Sequence, residues 1–298
     1  MTHSHDHHSP ASRTQSPDAP SSRPRRGRRV TALVAGASAA LLLSACGAAA
    51  AEEELTTLTV GTSITPQGDI MQFVADELAA EAGLEIEVVT YDDYTLPNRA
   101  LVDGDLDANY FQHFPYLESE ANAQGYELFA FERGIHIEPF ALYSDRYEDV
   151  SEIPEGGTIG INNDPSNQGR ALKLLQQAGL ITLAEGVDPV SATVHDVAEN
   201  PRNLEFVEAD ASMLAQTLPD TAASVVNGNN ALNAGLSATR DGLVVESPED
   251  NPYQNLLVVR AGEETDPALQ TLDELVHTDE VRTYIEETWP DGEVIPAF

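Results

Sequence analysis

Residues 158–179 read TIGINNDPSNQGRALKLLQQAG, and this stretch decides the fold. The apolar segment 158–161 is typical of a buried strand. Asp164 and Pro165 follow almost at once, and they place a helix-capping side chain before a proline that suits the first helical turn. Apolar residues then recur at helical spacing until Gly179, the residue type that most often ends helices. The stretch therefore predicts a strand that runs directly into a helix.

The same alternation extends in both directions along the chain. Strand-like apolar segments lie at 55–60, 86–90, 140–143, 204–207, 223–226 and 256–259. Helical periodicity marks residues 70–78, 98–103, 116–124, 266–277 and 279–288. Strands that alternate with helices predict an α/β fold, and we expect its sheets to be mainly parallel.

Two of the apolar segments, 140–143 and 256–259, divide the chain into lobes. If both cross between lobes, residues 55–140 and 256–298 form lobe 1, and residues 141–255 form lobe 2 with the crossover. Small ligands usually bind in clefts between such units. The sequence therefore predicts a ligand site in an interlobe cleft.

The first 45 residues have the order of a secretory signal. Polar residues 1–29 end in an arginine cluster, and residues 30–43 form an uncharged run of 14 residues. That run is shorter than the about 20 residues that span a bilayer as a helix. Leu43-Ser44-Ala45-Cys46 resembles the lipobox of bacterial lipoproteins, in which the Cys is diacylated after cleavage.

We therefore expect a signal peptide at 1–45, a flexible tether at 46–54, and anchoring to the membrane through a diacylated Cys46. The protein would then lie on the extracytoplasmic side of the cell membrane. The alternative is an ordinary cleavage site near Ala45 with a buried Cys beside it. Histidines near the N-terminus could bind metal weakly, but they belong to the predicted leader.

The charge balance is strongly acidic. Of the 15 basic residues six precede Cys46, and of the 50 acidic residues two do, so the remainder has nine basic and 48 acidic residues and a formal net charge of −39. Such a field repels nucleic acid and anionic lipid headgroups, and it keeps a protein soluble at high ionic strength. We expect no nucleic-acid partner, a monomer, and a surface that is adapted to salt.

Four polar residues near strand ends form one candidate ligand-binding set. Asn167 and Arg170 lie at the start of the predicted helix, where unpaired N–H groups favour an anion and the guanidinium can hold a carboxylate with two bonds. Asn227 and Asn229 follow another strand, and an amide can contact both an ammonium and a carboxylate. The alternatives are a surface salt bridge for Arg170 and turn chemistry for the asparagines.

Aromatic residues are concentrated in residues 107–117, which read DANYFQHFPYL. Phe111, His113 and Tyr116, with Tyr91 from the preceding strand, could form a slot for an apolar side chain. A thioether would suit this slot, because sulfur gains from contact with ring edges. The alternative is a core segment in which alternate residues face inward.

Catalytic and metal-binding interpretations have weaker support. His136 and Glu138 share one face of an extended segment, and together with His113 they are the nearest candidates for a zinc site. A secreted hydrolase would require one of the histidines beside Ser166 or Ser224. The chain has no Gly-x-Ser-x-Gly elbow, metal-ligand spacing or phosphate loop. We therefore expect no enzyme activity, no metal and no cofactor, and we keep His136 and Glu138 as ligand-binding candidates.

In combination, these segments resemble the MetQ/NlpA family of methionine-binding lipoproteins. The resemblance covers nearly the whole chain after Cys46, and it rests on residues 91–98, 109–117, 163–172, 200–208, 226–236 and 251–260. It implies a type II periplasmic-binding-protein fold, and a membrane permease and a cytoplasmic ATPase as partners in an importer. Gln67-Gly68-Asp69 departs from the His-Ala-Glu of many members, and Phe114 replaces a frequent Lys.

The resemblance also assigns roles to the candidate residues. It implies that Arg170 holds the carboxylate of the ligand, that Asn227 contacts the amino-acid head group, and that the aromatic set lines the side-chain pocket. The implied ligand is methionine. Another apolar amino acid, a methionine dipeptide and either enantiomer of methionine remain open.

Overall fold

The computed structural model describes residues 55–298. The predicted signal peptide, Cys46 and the tether at 46–54 lie outside the described residues. Within the described part, no helix has the length and apolar character that crossing a bilayer requires.

Residues 55–298 form fourteen strands and nine α-helices. In chain order the strands are β1 (Thr56–Ser63), β2 (Leu84–Tyr91), β3 (Ala108–His113), β4 (Leu128–Ala130), β5 (His136–Ile137), β6 (Ala141–Tyr143), β7 (Thr158–Asn162), β8 (Thr182–Leu183), β9 (Val197–Glu199), β10 (Glu205–Ala209), β11 (Ala223–Val226), β12 (Val244–Val245), β13 (Asn255–Arg260) and β14 (Ile295–Pro296). The helices are α1 (Gln67–Glu77), α2 (Leu96–Asp103), α3 (Phe114–Gln124), α4 (Pro165–Gln177), α5 (Ala211–Leu214), α6 (Gly228–Asn233), α7 (Ala238–Asp241), α8 (Pro267–Leu275) and α9 (Asp279–Thr288).

Two mixed sheets organise these elements. The first sheet has the order β14-β5-β13-β3-β1-β2, with β4 also paired to β13, and the second has the order β10-β7-β11-β6-β12. In the first sheet, β1 pairs in parallel with both β2 and β3, whereas β13 joins β3 in the antiparallel direction. The expectation of mainly parallel sheets was wrong, because the described strands form four parallel and seven antiparallel pairs.

Each sheet has its own hydrophobic core. Beside the first sheet, Val60 of β1 packs with Ile70 and Val74 of α1, and Ile285 of α9 belongs to the same cluster. Beside the second sheet, Ile159 and Ile161 of β7 pack with apolar residues of α4 such as Leu172 and Leu175. These side chains are almost fully removed from water, so burial of the two separate cores stabilises two layers that meet at a cleft.

The strand-to-helix unit at 158–179 forms as the sequence predicts. The carboxylate of Asp164 accepts a hydrogen bond from the backbone N–H of Asn167 at 2.9 Å and caps α4. Pro165 is the first residue of the helix, and Gly179 adopts a φ of +70°, which suits glycine best, just after its end. The cap fixes the start of α4 at the edge of the second sheet.

The chain passes between the sheets in two short segments. β5 and β13 belong to the first sheet, while β6 and β12 belong to the second, so residues 138–140 and 246–254 connect them. The apolar segments 140–143 and 256–259 form strands that stay within one sheet each. The crossings therefore lie just before those strands.

Candidate functional site

A partly enclosed cavity lies where residues from both sheets and from the connecting segments meet. Its wall includes eight of the ten ligand-binding candidates from the sequence, namely Phe111, His113, Tyr116, Glu138, Asn167, Arg170, Asn227 and Asn229. His113 ends β3, Glu138 follows β5 and Asn227 follows β11, and most of the others lie in the first turns of the helices that come next, so strand ends help to position the site, as expected for α/β sheets.

Arg170 is buried against a carboxylate that the sequence did not reveal. Its Nε lies 3.0 and 3.1 Å from the two oxygens of Glu246, and its Nη2 lies 2.5 Å from Glu246 Oε2. Nη2 also donates to the backbone carbonyl of Glu138 at 2.9 Å. The guanidinium carbon lies 3.8 Å from the ring centre of Phe140 and 4.3 Å from that of Tyr253.

This arrangement holds the guanidinium in one orientation and leaves its Nη1 edge without a hydrogen-bond partner among residues 55–298. Burial alone would raise the pKa of Glu246, but the charge of Arg170 and the hydrogen bonds to the carboxylate outweigh it, so the pKa lies below its ordinary value. Arg170 and Glu246 therefore form a buried ion pair. The free Nη1 edge can still bind an anion in the cavity.

His113 is a neutral wall residue. Its Nδ1 accepts the backbone N–H of Tyr116 at 3.1 Å and so caps α3, which leaves the proton on Nε2, 3.2 Å from Asn167 Oδ1. Burial and the nearby charge of Arg170 lower the pKa of His113 to about 3. The imidazole therefore donates one hydrogen bond across the cavity and carries no charge at neutral pH.

Glu138 is held from behind by a buried hydrogen-bond chain. Tyr110 donates its hydroxyl to His136 Nδ1, and His136 Nε2 donates to Glu138 Oε1 at 2.6 Å. Gln67 Nε2 donates to the same oxygen at 2.6 Å. Glu138 Oε2 has no hydrogen-bond partner among the described residues, and this leaves it able to accept from a ligand.

Gly228 gives the Glu138 carboxylate its space. A Cβ atom at this position would come within 2.4 Å of Glu138 Cβ and 3.1 Å of Oε2. Any larger residue would therefore displace the carboxylate. The first position of α6 therefore needs glycine for this close approach rather than for an unusual backbone angle.

Asparagines connect the two sides of the cavity. Asn227 accepts from Asn162 at 2.8 Å and donates to Asn167 at 3.4 Å. Asn229 Oδ1 accepts the hydroxyl of Tyr94 at 2.6 Å. Because Tyr94 precedes α2 and Asn229 lies in α6, this bond joins the two halves directly.

Aromatic rings form the apolar end of the cavity. Tyr94, Phe111 and Tyr116 pack with ring centres 5.8–6.0 Å apart. The Tyr116 hydroxyl donates to the backbone carbonyl of Tyr94 at 3.0 Å. Burial and then the charge of Glu138 raise the pKa of Tyr94 well above its usual range, so its hydroxyl stays protonated.

Two predicted residues do not line this cavity. Tyr91 packs in the cluster of Leu101 and Leu106 at the end of β2, and Tyr94, three residues later in the loop, supplies the ring instead. His136 is fully buried behind Glu138. No group of three metal-ligating side chains occurs in the described residues, and His113 bonds to Asn167 rather than to His136 or Glu138.

Several wall residues were missed. They are Gln67, Tyr94, Gln112, Phe140, Gly228 and Asn255. Gln67 was noted in the sequence only as a departure from a family pattern. The segment at 251–256 also helps to form the site, because the ring of Tyr253 lies against the guanidinium of Arg170.

Two α/β layers that meet at a cleft lined by polar and aromatic side chains define the class of two-lobed substrate-binding proteins. The chain belongs to the NlpA lipoprotein family, whose model matches residues 58–298.

Named relatives are similar over most of their length. The methionine-binding lipoprotein MetQ of Bacillus subtilis is 37% identical over 242 residues, which cover 80% of this chain and 88% of that protein. The D-methionine-binding lipoprotein MetQ of Escherichia coli is 38% identical over 240 residues, which cover 80% of this chain and 87% of that protein. A nutrient-binding protein from Burkholderia cenocepacia, solved bound to methionine, has a TM-score of 0.77 at 38% identity, and the match covers 81% of this chain and 100% of that one.

Proposed function

We propose that this protein binds methionine in the cavity and delivers it to the permease of an ATP-driven importer. The names of the relatives support this ligand, since they describe methionine-binding proteins. The cavity supports it independently through the chemistry of its wall.

The main observation behind this proposal is that groups suited to bind the carboxylate and the ammonium of an amino acid lie side by side. Arg170 Nη1 is an unused donor, Glu138 Oε2 is an unused acceptor, and the 2.9 Å bond from Arg170 Nη2 to the Glu138 carbonyl keeps the two residues adjacent. In an α-amino acid the carboxylate and the ammonium are also bonded to one carbon. The site is therefore complementary to a zwitterion.

The ring-lined end would then hold the side chain. Phe111, Tyr116 and Tyr94 offer ring edges, which favour contact with a thioether sulfur. Charge-assisted hydrogen bonds contribute about 1.5–3 kcal/mol each, so two or three of them with a buried side chain could give micromolar affinity, about −8 kcal/mol.

The hydroxyl groups near the site favour binding over catalysis. Ser224 Oγ bonds to Thr217 and Thr221 at 2.8 and 3.0 Å, and Ser166 Oγ donates to Asp164 at 3.1 Å. Neither serine shares a hydrogen bond with a histidine in the described part of the chain. Neither serine is therefore arranged as a nucleophile that an adjacent histidine could activate.

We assign residues 55–140 and 256–298 to one lobe and residues 141–255 to the other. The strand composition of the two sheets supports this division. The segments 138–140 and 246–254 would act as the hinge, and closure would bring Arg170 and the aromatic rings onto the same ligand.

Cys46 would tether the protein to the extracytoplasmic face of the membrane, and a monomer would present the loaded cleft to the permease and its ATPase. Two acyl chains give stable anchoring where one gives only marginal binding. A Cys46→Ser variant should therefore move from the membrane fraction to the soluble fraction. Retention of that variant in washed membranes would refute the anchor.

The ligand can be identified directly. We expect mass spectrometry of small molecules released from the purified, denatured protein to recover methionine, and calorimetry to show micromolar binding of at least one enantiomer. Tighter binding of leucine or of glycyl-methionine would replace methionine with that ligand. Chemical turnover of a bound compound would refute the proposal.

A further inference from the structure

Gln67 carries a buried acceptor that the protein does not use. The residue opens α1, is 2% exposed and lines the cavity. Its Nε2 donates to Glu138 Oε1 at 2.6 Å and to Asn255 Oδ1 at 3.1 Å. Its Oε1 is buried and has no hydrogen-bond partner in residues 55–298.

The orientation of this amide follows from its neighbour. A carboxylate can only accept, so the nitrogen of Gln67 must face Glu138 Oε1 and the oxygen must face away from it. Exchanging the two amide atoms would place two acceptors 2.6 Å apart. The unpaired atom is therefore the oxygen.

A second glutamine in the same wall does not share this deficit. Gln112 donates to Asn98 at 2.6 Å and to Asn109 at 2.9 Å, and its oxygen accepts from Asn98 at 2.9 Å. Its amide is thus satisfied within the protein. An unpaired buried acceptor is unfavourable, so a ligand donor placed at Gln67 Oε1 would recover that loss on binding.

We propose that Gln67 Oε1 and Glu138 Oε2 together accept hydrogen bonds from the ammonium group of the ligand, and that Gln67 makes the site selective for an unsubstituted amino group. This inference rests on the proposed function. A primary ammonium has three N–H donors and can satisfy both oxygens, whereas an N-acyl group supplies one donor and no charge. Gln67 therefore discriminates against N-acylated ligands and against acids that lack the amino group.

The test compares two ligands that differ only in the amino group. Calorimetry or competition would measure the affinity of methionine and of 4-(methylsulfanyl)butanoate for the wild-type protein and for Gln67→Met, which keeps the side-chain length but has no amide. The ratio of the two affinities should fall at least fivefold in Gln67→Met. Gln72→Met is the matched control, because Gln72 is exposed on the same helix and, among residues 55–298, its side chain bonds only to Asp76. The affinity ratio of this control should equal that of the wild type.

A purely indirect role through Glu138 gives a different result. If Gln67 only positions that carboxylate, adding Gln67→Met to a Glu138→Gln background will leave the ratio unchanged, and this would overturn the inference. If Gln67 contacts the ligand directly, the ratio of the two affinities should fall further in the double variant than in Glu138→Gln alone.

A crystal structure of the wild-type protein with methionine tests the contact without relying on the folding of a variant. We expect the ligand nitrogen within hydrogen-bond distance of Gln67 Oε1. A water on that oxygen, with the ligand nitrogen elsewhere, would overturn the inference while methionine binding still stood. Absence of methionine binding to the wild type would overturn the proposed function and this inference together.

Discussion

Replacing Arg170 with alanine should damage stability and binding through separate interactions. Arg170 is 3% exposed and Glu246 is 9% exposed, and the pair is bidentate. Removing one partner of such a pair leaves an uncompensated buried charge, which costs about 3–5 kcal/mol. For a domain of this size that corresponds to a fall in melting temperature of roughly 6–20 °C.

The same substitution removes the unused Nη1 edge. Losing one or two charge-assisted hydrogen bonds to the ligand carboxylate, each about 1.5–3 kcal/mol, should weaken methionine binding at least tenfold. The single variant cannot separate this loss from partial unfolding. The double variant Arg170→Met/Glu246→Gln removes both charges and retains an acceptor for the backbone N–H of Phe140, which Glu246 now binds at 3.2 Å.

We expect thermal and urea unfolding to show that the double variant recovers most of the stability, while calorimetry shows that it still does not bind methionine tightly. The destabilisation of Arg170→Ala should also shrink as the pH falls, because protonation discharges the isolated Glu246. An Arg170→Ala protein with the wild-type melting temperature would refute the buried ion pair. Wild-type affinity in the double variant would refute the role of Arg170 as carboxylate receptor.

Three further predictions follow from other contacts. The pKa of His113 is about 3 in the folded protein and near 6.5 when unfolded, so the contribution of this histidine to stability is complete above pH 6.5 and is lost as the pH falls toward 3. The stability advantage of the wild type over His113→Gln, measured by urea unfolding, should therefore shrink between pH 7 and pH 4, and a constant difference would contradict this. Tyr94→Phe removes the bonds to Asn229 and Asn230, each worth about 1 kcal/mol, and should weaken methionine binding by up to about thirtyfold in calorimetry, whereas Tyr126→Phe, outside the cavity, should not weaken it. Equal affinities for the two variants would count against a closing contact. The melting temperature should rise from low salt to about 1 M NaCl, because screening weakens repulsion within a chain of net charge −39 after Cys46. A melting temperature that stayed constant or fell as salt was added would remove the case for salt adaptation.

Local signals predicted the elements that depend on local chemistry. The unit at 158–179 has a capping carboxylate, a proline at the first turn and a terminal glycine, and all three act within a few residues of one another. Strand β3 was missed because all six of its residues are buried, so it lacks the polar–apolar alternation of a half-exposed strand. The two-residue strands β5 and β14 exist only through pairing with distant strands, which no local pattern reports.

Site residues, too, could be predicted only where local sequence identifies them. Arg170 and Asn227 could be chosen because their side-chain chemistry and their places after strands suit a zwitterion. Glu246 lies 76 residues from Arg170 in sequence, and no local feature connects the two. Tyr91 and Tyr94 are equally aromatic, and only the course of the loop before α2 decides which of them faces the cavity.

The contacts around the cavity separate recognition from closure. Arg170 lies in α4, beside the second sheet, and Glu246 directly follows β12 of that sheet, so the ion pair at the carboxylate receptor is assembled without residues of the first sheet. Tyr94 to Asn229 and His113 to Asn167 instead join the two sides, and neither bond needs a ligand. In the closure that we propose, these two bonds would favour the closed form without a ligand, and a ligand that also contacts both sides would shift the equilibrium further toward that form. Affinity then depends on how far that equilibrium lies toward closure in the empty protein as well as on the contacts that the ligand makes.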